Sequence, residues 1–340
     1  MYSLIDIQKK LLPDLLAVMQ KRYHILEYIN QMQPVGRRSL AVSLGLTERV
    51  LRSEVDFLKT QDLITVASLG MSVTEDGRKL LVELRSIMRE ISGIVKMEQQ
   101  LADKLGIQRA IIVSGNADEA PWVKNELGRA TAQWMKSSLH GENIIGVTGG
   151  TTMSTVAKML TPTKPDQNWL FVPARGGIGE DVKNQANTIC SQMAENTDSK
   201  HRVLYAPDEV SKEMYESMIK DPNFTEVLHL IKSACMVLHG IGDAITMAER
   251  RKTSSENVKK LIAANAVGEA FGYYFNEAGE IVHKIQTVGL QLADLTAIQH
   301  VLAVAGGGSK AKAIAAYMKR APKSTILITD EGAANQLLKG

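Results

Sequence analysis

The sequence predicts an α/β protein with an N-terminal winged helix-turn-helix domain, residues 1–88, and a Rossmann-like α/β domain, residues 89–340. Three observations predict this division. Within residues 40–58, a helix ended by glycine is followed at once by a helix capped by a hydroxyl. After Gly106, short apolar runs alternate with helical segments. The 340 residues, 44% of them hydrophobic, are enough for two separate cores.

The helix-turn-helix prediction depends on a breaker, a cap and an apolar stripe. Gly45 can adopt the left-handed conformation that ends a first helix, and the Thr47 hydroxyl can cap the second. Helical spacing relates Leu51, Val55 and Leu58, which would face a core. The outer face would then meet the major groove of DNA, with Thr47 at its start, followed by Glu48, Arg49, Arg52, Ser53 and Asp56. An ordinary helical hairpin with a solvated charged face is the alternative.

A β-hairpin follows the second helix and would form the wing. Two short strand-like runs, residues 63–66 and 71–74, are separated by four residues that end in Gly70. Just before the first helix, Arg37 and Arg38 could bind phosphates and fix the register of the protein on duplex DNA. The two arginines could equally be solvated surface charges.

Charge and composition limit the class of protein. The net charge is +3, and residues 1–109 carry all of it, with 16 Lys and Arg against 13 Asp and Glu; residues 110–340 contain 24 of each. This modest excess favours a positioned DNA-binding motif over general polyanion binding. The two cysteines lack paired spacing, and the seven histidines show no metal-ligand pattern. Without a signal peptide or a long apolar run, we expect a cytoplasmic protein that contacts no membrane.

Two helical regions concern oligomerisation. Residues 3–31 predict helix interrupted by Pro13, with a second helix from residue 22, and this leucine-rich segment either packs on the winged domain or makes an oligomer contact. Residues 76–105 predict one linker helix, with apolar residues spaced alternately by four and three apart from a break at Glu98: Leu80, Leu84, Ile87, Ile91, Ile94, Leu101 and Leu105. Such a seam favours a partner helix, and therefore a homodimer or homotetramer. A connecting helix lying on its own domain is the alternative.

The second domain is predicted from seven apolar runs, residues 110–113, 144–147, 169–172, 202–205, 236–238, 301–304 and 325–328. Near-continuous apolar strands that alternate with helices indicate a parallel sheet covered on both faces. Ligands bind such sheets outside the carboxyl ends of the strands. Residues 272–282 predict an antiparallel hairpin, which we expect at an edge of this sheet.

Two glycine-rich corners follow strands of the predicted sheet. The first corner, residues 147–152, precedes a helix over 154–160, and the second corner, residues 305–310, precedes a helix over 311–318. Backbone amides, hydroxyls and a helix N-terminus attract anions at each corner, and Lys310 adds a full charge. The first corner supplies Gly149, Gly150, Thr151 and Thr152. Two such corners predict one small ligand with two anionic groups, although either alone could be a tight connection.

Five further residues are candidates for the same site. Arg175 follows the third strand and could hold a phosphate through two hydrogen bonds, and Gln185 on the next helix could reach a hydroxyl. The adjacent Arg250 and Arg251 either reach into the site or belong to a solvated basic run. Glu269 could accept hydrogen bonds from sugar hydroxyls, or it is an ordinary surface carboxylate.

A dinucleotide fingerprint is a competing interpretation of the second corner. The spacing of Gly306, Gly308 and Ala311 fits it, and Asp330 ends the next strand about 20 residues later. Lys310 instead favours a compact phosphate, so we expect no nicotinamide cofactor.

The motifs together resemble a known family. A winged helix-turn-helix followed by Val-Thr-Gly-Gly-Thr-Thr, Val-Pro-Ala-Arg-Gly-Gly and Gly-Gly-Gly-Ser-Lys is similar, over nearly the whole chain, to the SorC (DeoR-related) sugar-responsive transcriptional regulators. The resemblance implies an effector domain similar to sugar-phosphate isomerases and deaminases. It also implies a repressor of a glycolytic operon, bound to double-stranded operator DNA and controlled by a phosphorylated sugar, fructose 1,6-bisphosphate, without a cofactor.

Matching motifs carry the effector site over to Gly149, Gly150, Thr151, Thr152, Arg175 and Lys310. The less distinctive surroundings of Gln185, Arg250, Arg251 and Glu269 make their transfer weaker. The rival hypothesis is an enzyme of the isomerase or deaminase type, which needs a general base near the sugar carbons. Asp243, Glu269 and His239 are available, but no spacing among them marks a catalytic set. We therefore expect a regulator and no enzyme.

Overall fold

The computed structural model describes residues 10–163, 166–177 and 181–340. The chain forms two compact units, which divide between residues 97 and 98. The helical prediction for residues 3–9 lies outside the described residues. No helix in the described ranges is both long and apolar enough to span a bilayer.

The first unit is a winged helix-turn-helix, as predicted. Gly45 ends the first helix of the motif at φ +62°, and the Thr47 hydroxyl accepts a hydrogen bond of 3.3 Å from the Val50 amide at the start of the next. The wing strands are antiparallel, with Ile64 opposite Val73. In chain order the elements are α1 (Pro13–Met32), α2 (Arg37–Leu44), α3 (Glu48–Thr60), β1 (Ile64–Ala67), β2 (Gly70–Val73) and α4 (Glu75–Ile91).

This unit has its own hydrophobic core, to which α1 and α3 both contribute. The buried side chains include the three predicted on α3 and three from α1: Leu51, Val55, Leu58, Ile25, Leu26 and Ile29. Each fully buried aliphatic side chain stabilises the fold by roughly 1.5–3 kcal/mol. Glu54 of α3 is also buried and pairs with Lys21 at 2.6 Å and Arg22 at 2.8 Å. The first long helix is therefore part of the winged unit.

Two helix predictions are wrong in their boundaries. No new helix begins at residue 22, because α1 continues from Pro13 to Met32; proline is tolerated in the first turn, where its missing amide has no helical partner. The predicted linker helix over 76–105 is broken, since α4 ends at Ile91 and α5 (Ile94–Leu105) begins after Gly93, which has φ +75°.

The predicted seam on the linker helix is largely satisfied within its own unit. Leu80 and Leu84 are half-buried against the core of the winged unit, and Ile91 is fully part of that core. Ile87 remains 44% exposed. The apolar stripe of α4 is therefore no evidence for a partner helix, and oligomerisation stays a prediction.

The second unit contains a parallel seven-stranded sheet. Its strands are β3 (Arg109–Val113), β4 (Gly141–Val147), β5 (Gln167–Pro173), β6 (Lys200–His201), β7 (Met236–Gly240), β12 (His300–Val304) and β13 (Thr325–Asp330). They lie in the order β3-β13-β12-β7-β4-β5-β6. From β4 the chain first adds strands on one side, and it then returns to β7 on the other side. The sheet thus has a topological switch point between β4 and β7.

The remaining elements of this unit are helices and a second, smaller sheet. The helices are α6 (Val123–Ser138), α7 (Thr151–Met159), α8 (Ala186–Asn196), α9 (Lys212–Met218), α10 (Pro222–Lys232), α11 (Ala244–Arg250), α12 (Ser255–Ala263), α13 (Ala311–Met318) and α14 (Glu331–Lys339). The smaller antiparallel sheet has the order β11-β10-β9-β8, formed by β8 (Gly242–Asp243), β9 (Ala266–Ala270), β10 (Tyr273–Asn276) and β11 (Ile281–Lys284).

Two strand predictions need correction. The hairpin is present as β10 and β11, but it belongs to the smaller sheet and not to an edge of the large one, because β9 pairs with it. The predicted strand over 202–205 is irregular, and only β6 before it pairs with β5. Asn187 accounts for this, because its side chain bonds both the amide and the carbonyl of Leu204 at 3.0 Å.

One of the two edge strands of the large sheet, β3, is covered at one of its amides. β3 lies at the end of the strand order, and the Glu98 side chain of α5 accepts a hydrogen bond of 2.7 Å from the Ile112 amide. A backbone group that an edge strand would leave open is thereby satisfied.

Candidate functional site

A cleft of about 340 Å³ lies at the carboxyl edge of the large sheet, at the switch point between β4 and β7. The segments that follow β4, β5 and β7 line it together with part of the smaller sheet. All ten effector-site residues predicted from the sequence are among its lining residues: Gly149, Gly150, Thr151, Thr152, Arg175, Gln185, Arg250, Arg251, Glu269 and Lys310. The fold thus brings residues more than 150 positions apart to one place.

The corner after β4 presents backbone amides to this cleft. The first helical hydrogen bond of α7 runs from the Ser154 amide to the Gly150 carbonyl, so the amides of Thr151 and Thr152 have no partner within the helix. Gly150 has φ +120°, which side chains other than glycine rarely adopt. A Cβ on Gly149 would lie 2.8 Å from the Asn184 carbonyl oxygen. The geometry suits an anion at the start of α7.

The corner after β12 is occupied by the protein itself. The Gly307 amide donates to Asp330 at 2.7 Å, and the Ser309 amide and hydroxyl donate to Asp118 at 2.8 Å and 2.9 Å. The prediction of two amide cradles is therefore wrong for this corner, since carboxylates already fill it. Asp330 also occupies the place where a dinucleotide fingerprint needs a pyrophosphate. Only Lys310 of this corner lines the cleft.

Two cations at the cleft have no ion-pair partner among the residues that the structure describes. Lys310 is half-buried, and Arg250 is exposed at the end of α11. Burial lowers the pKa of Lys310 below its usual range, and the nearby charges of Lys124 and Arg250 lower it further. An anion bound here would relieve this repulsion, which makes the two side chains the strongest candidates for contacting a phosphate.

Four buried charged side chains form a closed network in the wall of the cleft. Asp208 accepts from Arg175 at 2.5 Å and from Arg251 at 2.8 Å. Glu269 lies 3.1 Å from Arg251 and 3.6 Å from Arg175, and it also accepts from the Gly272 amide. Burial alone would lower the pKa of Arg251, but the carboxylates of Glu269 and Asp208 outweigh it and raise that pKa. The network is balanced in charge without a ligand.

The network revises several expectations. Arg175 is only 6% exposed and already holds carboxylates, so it is not a free phosphate clamp. Arg251 belongs to the cleft and not to a solvated run, and Glu269 is buried and not a surface carboxylate. Gln185 lies just before α8, where it packs over Gly177. Asp208 was missed, because nothing in its local sequence distinguishes it from an ordinary loop aspartate.

The winged unit presents the predicted outer face of α3 to solvent. Every predicted DNA-contacting residue is exposed: Arg37, Arg38, Thr47, Glu48, Arg49, Arg52, Ser53 and Asp56. Arg38 and Glu48 lie 3.6 Å apart, and their exposure makes this a weak pair that DNA could replace. The Thr47 hydroxyl is already used in capping α3.

Comparisons with known proteins agree with this division of the chain. A family profile for the CggR N-terminal DNA binding domain matches residues 18–88, and a profile for a sugar-binding domain matches residues 89–339. The chain is 58% identical over 340 residues to the central glycolytic genes regulator of Priestia megaterium, covering 100% of this chain and 99% of the relative. The corresponding Bacillus subtilis regulator is 55% identical over 339 residues, with the same coverage.

A solved structure gives the same result. A SorC family transcriptional regulator from Enterococcus faecalis is 47% identical, with a TM-score of 0.68, and the match covers 72% of this chain and 99% of that one. The chain belongs to the SorC family of transcriptional regulators. The predicted fold class and family are thus confirmed, and the protein is a DNA-binding regulator with a sugar-binding domain.

The three residues that the rival enzyme hypothesis needs, His239, Asp243 and Glu269, all have partners within the protein. Burial lowers the pKa of His239 to about 4, and its ring nitrogens contact the Gly240 carbonyl at 3.0 Å and the Tyr317 hydroxyl at 3.1 Å. Asp243 caps α11 through the Thr246 amide, and Glu269 is held in the buried network. The described residues contain no group of three or more metal-ligating side chains.

Proposed function

We propose that the protein represses glycolytic genes and that a phosphorylated sugar, fructose 1,6-bisphosphate, controls its operator binding from the switch-point cleft. The named relatives support the gene class, since both are central glycolytic genes regulators. The observation that carries the choice of effector is that one cleft combines Lys310 and Arg250 with amides at the start of α7 that have no hydrogen-bond partner among the described residues.

The cleft offers two kinds of partner to such a ligand. Amides of a helix N-terminus and the cations of Lys310 and Arg250 suit phosphate oxygens. The charge-balanced network in the cleft wall suits neutral hydroxyls, because its two carboxylates, Asp208 and Glu269, accept hydrogen bonds and its two arginines donate them without adding net charge. A volume of about 340 Å³ lies at the lower end of the usual range for small-ligand sites, which favours a compact metabolite.

Regulation requires that the effector bind two states of the protein with different affinity. A coupling of about 1–3 kcal/mol would change operator affinity by about 5- to 150-fold. We propose that the protein acts in the cytoplasm as a homodimer or homotetramer, because paired recognition helices bind two half-sites of an operator.

The test is a calorimetric titration of the full-length protein with fructose 1,6-bisphosphate, fructose 6-phosphate, glucose 6-phosphate and inorganic phosphate. We expect the bisphosphate to bind most tightly and to change affinity for a duplex selected by the protein from random sequences. If no sugar phosphate binds, or if NMR shows sustained conversion of any of them, the proposal fails.

A further inference from the structure

The tip of the wing presents an uncharged, largely apolar surface to solvent. Leu69, in the turn between β1 and β2, is 84% exposed, and its neighbours Val66 and Ala67 are exposed as well. No charged residue occurs in residues 63–74. A single exposed leucine needs no explanation, but a whole wing without a cation cannot hold phosphates by charge.

The wing tip is anchored, so Leu69 cannot fold back onto the core. Val35 and Met71 exchange backbone hydrogen bonds of 3.1 Å and 2.9 Å. Gly70 has φ +135°, and a Cβ there would lie 2.9 Å from the Val35 backbone. Close backbone contact thus fixes the direction in which the turn points.

The same contact places cations beside the tip. Val35 is followed by Gly36 and then by Arg37 and Arg38, the first residues of α2. Both arginines are exposed, and the Arg38 side chain is 91% exposed. The edge of this DNA-binding unit therefore combines two exposed guanidinium groups, of which that of Arg38 makes only a weak surface pair with Glu48, with an adjacent uncharged projection. Duplex DNA has the complementary arrangement, because phosphates flank a minor groove whose floor carries base edges.

We propose that Leu69 enters the minor groove as an apolar wedge between base steps, while Arg37 and Arg38 bind the flanking phosphates. Minor-groove binders insert leucine and similar side chains in this way and kink the duplex. The wing then reads the ease of unstacking, which is greatest at pyrimidine–purine steps, and contributes sequence preference without base hydrogen bonds. This proposal does not depend on the identity of the effector.

The test uses the full-length protein and a duplex selected by it from random sequences, with 2-aminopurine at successive steps. We expect 2-aminopurine fluorescence to rise on binding at one step, where Leu69 unstacks the base. Leu69→Ala should abolish that rise and lower DNA affinity about tenfold. Leu69→Met should keep both the fluorescence rise and the affinity near wild type, since methionine also serves as a wedge. The dependence of affinity on salt should stay unchanged, because no phosphate contact is lost.

Two controls make the result specific. Ile262→Ala removes another exposed aliphatic side chain, in the sugar-binding unit, and should leave DNA affinity and fluorescence unchanged. Arg37→Ala should lower the salt slope by about one, as expected for a phosphate contact. Wild-type affinity in Leu69→Ala would overturn the proposal. So would a loss of affinity that sedimentation traces to a weakened oligomer, since the wing would then contact a second copy of the chain.

Discussion

The two glycine corners of the sugar-binding unit share one sequence pattern, but one lines an open cleft and the other is bound by carboxylates of the protein. After β4, the amides of Thr151 and Thr152 open into a cleft, whereas after β12 the amides of Gly307 and Ser309 are taken by Asp330 and Asp118. Both corners run from strand through glycine and hydroxyl to helix. The difference is that neighbouring segments place Asp330 and Asp118 at the second corner. A corner of this kind is open to a ligand only where no carboxylate of the chain reaches its amides.

The largest effect on stability should come from removing Asp330, the carboxylate that binds amides of the corner after β12. Asp330 is fully buried and accepts from the amides of Ala117, Gly307 and Ala333 at 2.7, 2.7 and 2.8 Å. Because buried donors without a partner cost about 1–3 kcal/mol each, we expect Asp330→Ala to lower the free energy of unfolding by about 3 kcal/mol or more. Urea unfolding measures this.

The matched control is Asp243→Ala, because Asp243 caps α11 at an exposed position. It should lower the free energy of unfolding by about 1 kcal/mol, as a lost helix cap does. Equal losses in the two variants would contradict the structural role assigned to the second corner.

Effector binding in the open cleft should depend on Lys310, which lines it. If its ammonium contacts a phosphate of the effector, Lys310→Ala should weaken fructose 1,6-bisphosphate binding by about 1.5–3 kcal/mol, the usual value for a charged hydrogen bond. Calorimetry measures the change. Lys312→Ala is the control, since Lys312 pairs with Glu277 at the surface, outside the cleft, and should bind the effector normally. Unchanged affinity in Lys310→Ala would remove this residue from the site.

Removing Asp118 should make the two corners more alike. Asp118 is exposed, so Asp118→Ala should lower the free energy of unfolding by only about 1 kcal/mol while freeing the Ser309 amide. We expect inorganic phosphate to shift the Ser309 amide resonance in this variant and not in the wild-type protein. Glu119→Ala, which removes a surface contact with Asn116 and no carboxylate that binds the Ser309 amide, should behave as wild type. An unshifted Ser309 resonance would mean that more than an open amide is required.

The smallest effect is a pH dependence of effector affinity. The pKa of Lys310 is lowered by burial and then by Lys124 and Arg250, and only its protonated form attracts phosphate. Affinity should therefore fall as pH rises, starting below the range in which an ordinary lysine titrates. Calorimetry between pH 7 and 10 would show the fall, and Lys310→Arg should flatten it. A flat wild-type profile would argue against a phosphate at Lys310.

Local signals allowed the sequence to predict much of this fold. Gly45 and Thr47 mark the helix-turn-helix because a left-handed residue and a cap act on their immediate neighbours. The carboxyl-edge location of the site followed from the parallel sheet, since all such strands end on one side. The break of the linker helix at Gly93 was missed because a periodic stripe continues across it.

The unpredicted parts of the site depend on contacts distant in sequence. Asp208 meets Arg175 from 33 positions away and Arg251 from 43. Asp118 reaches Ser309 across 191 positions. No spacing rule links such residues, so the charge balance of the cleft wall and the filling of the second corner appear only when the chain is folded.

The side chain of Glu98 over the Ile112 amide has a practical consequence for anyone who divides this chain. An uncovered outer strand is a template for pairing with other molecules. A shortened protein that begins after α5 would bare this strand, and we expect it to self-associate into mixed sheets. A protein that starts at residue 89 keeps Glu98 bound to the Ile112 amide. We therefore expect the sugar-binding half, cut there, not to aggregate through β3.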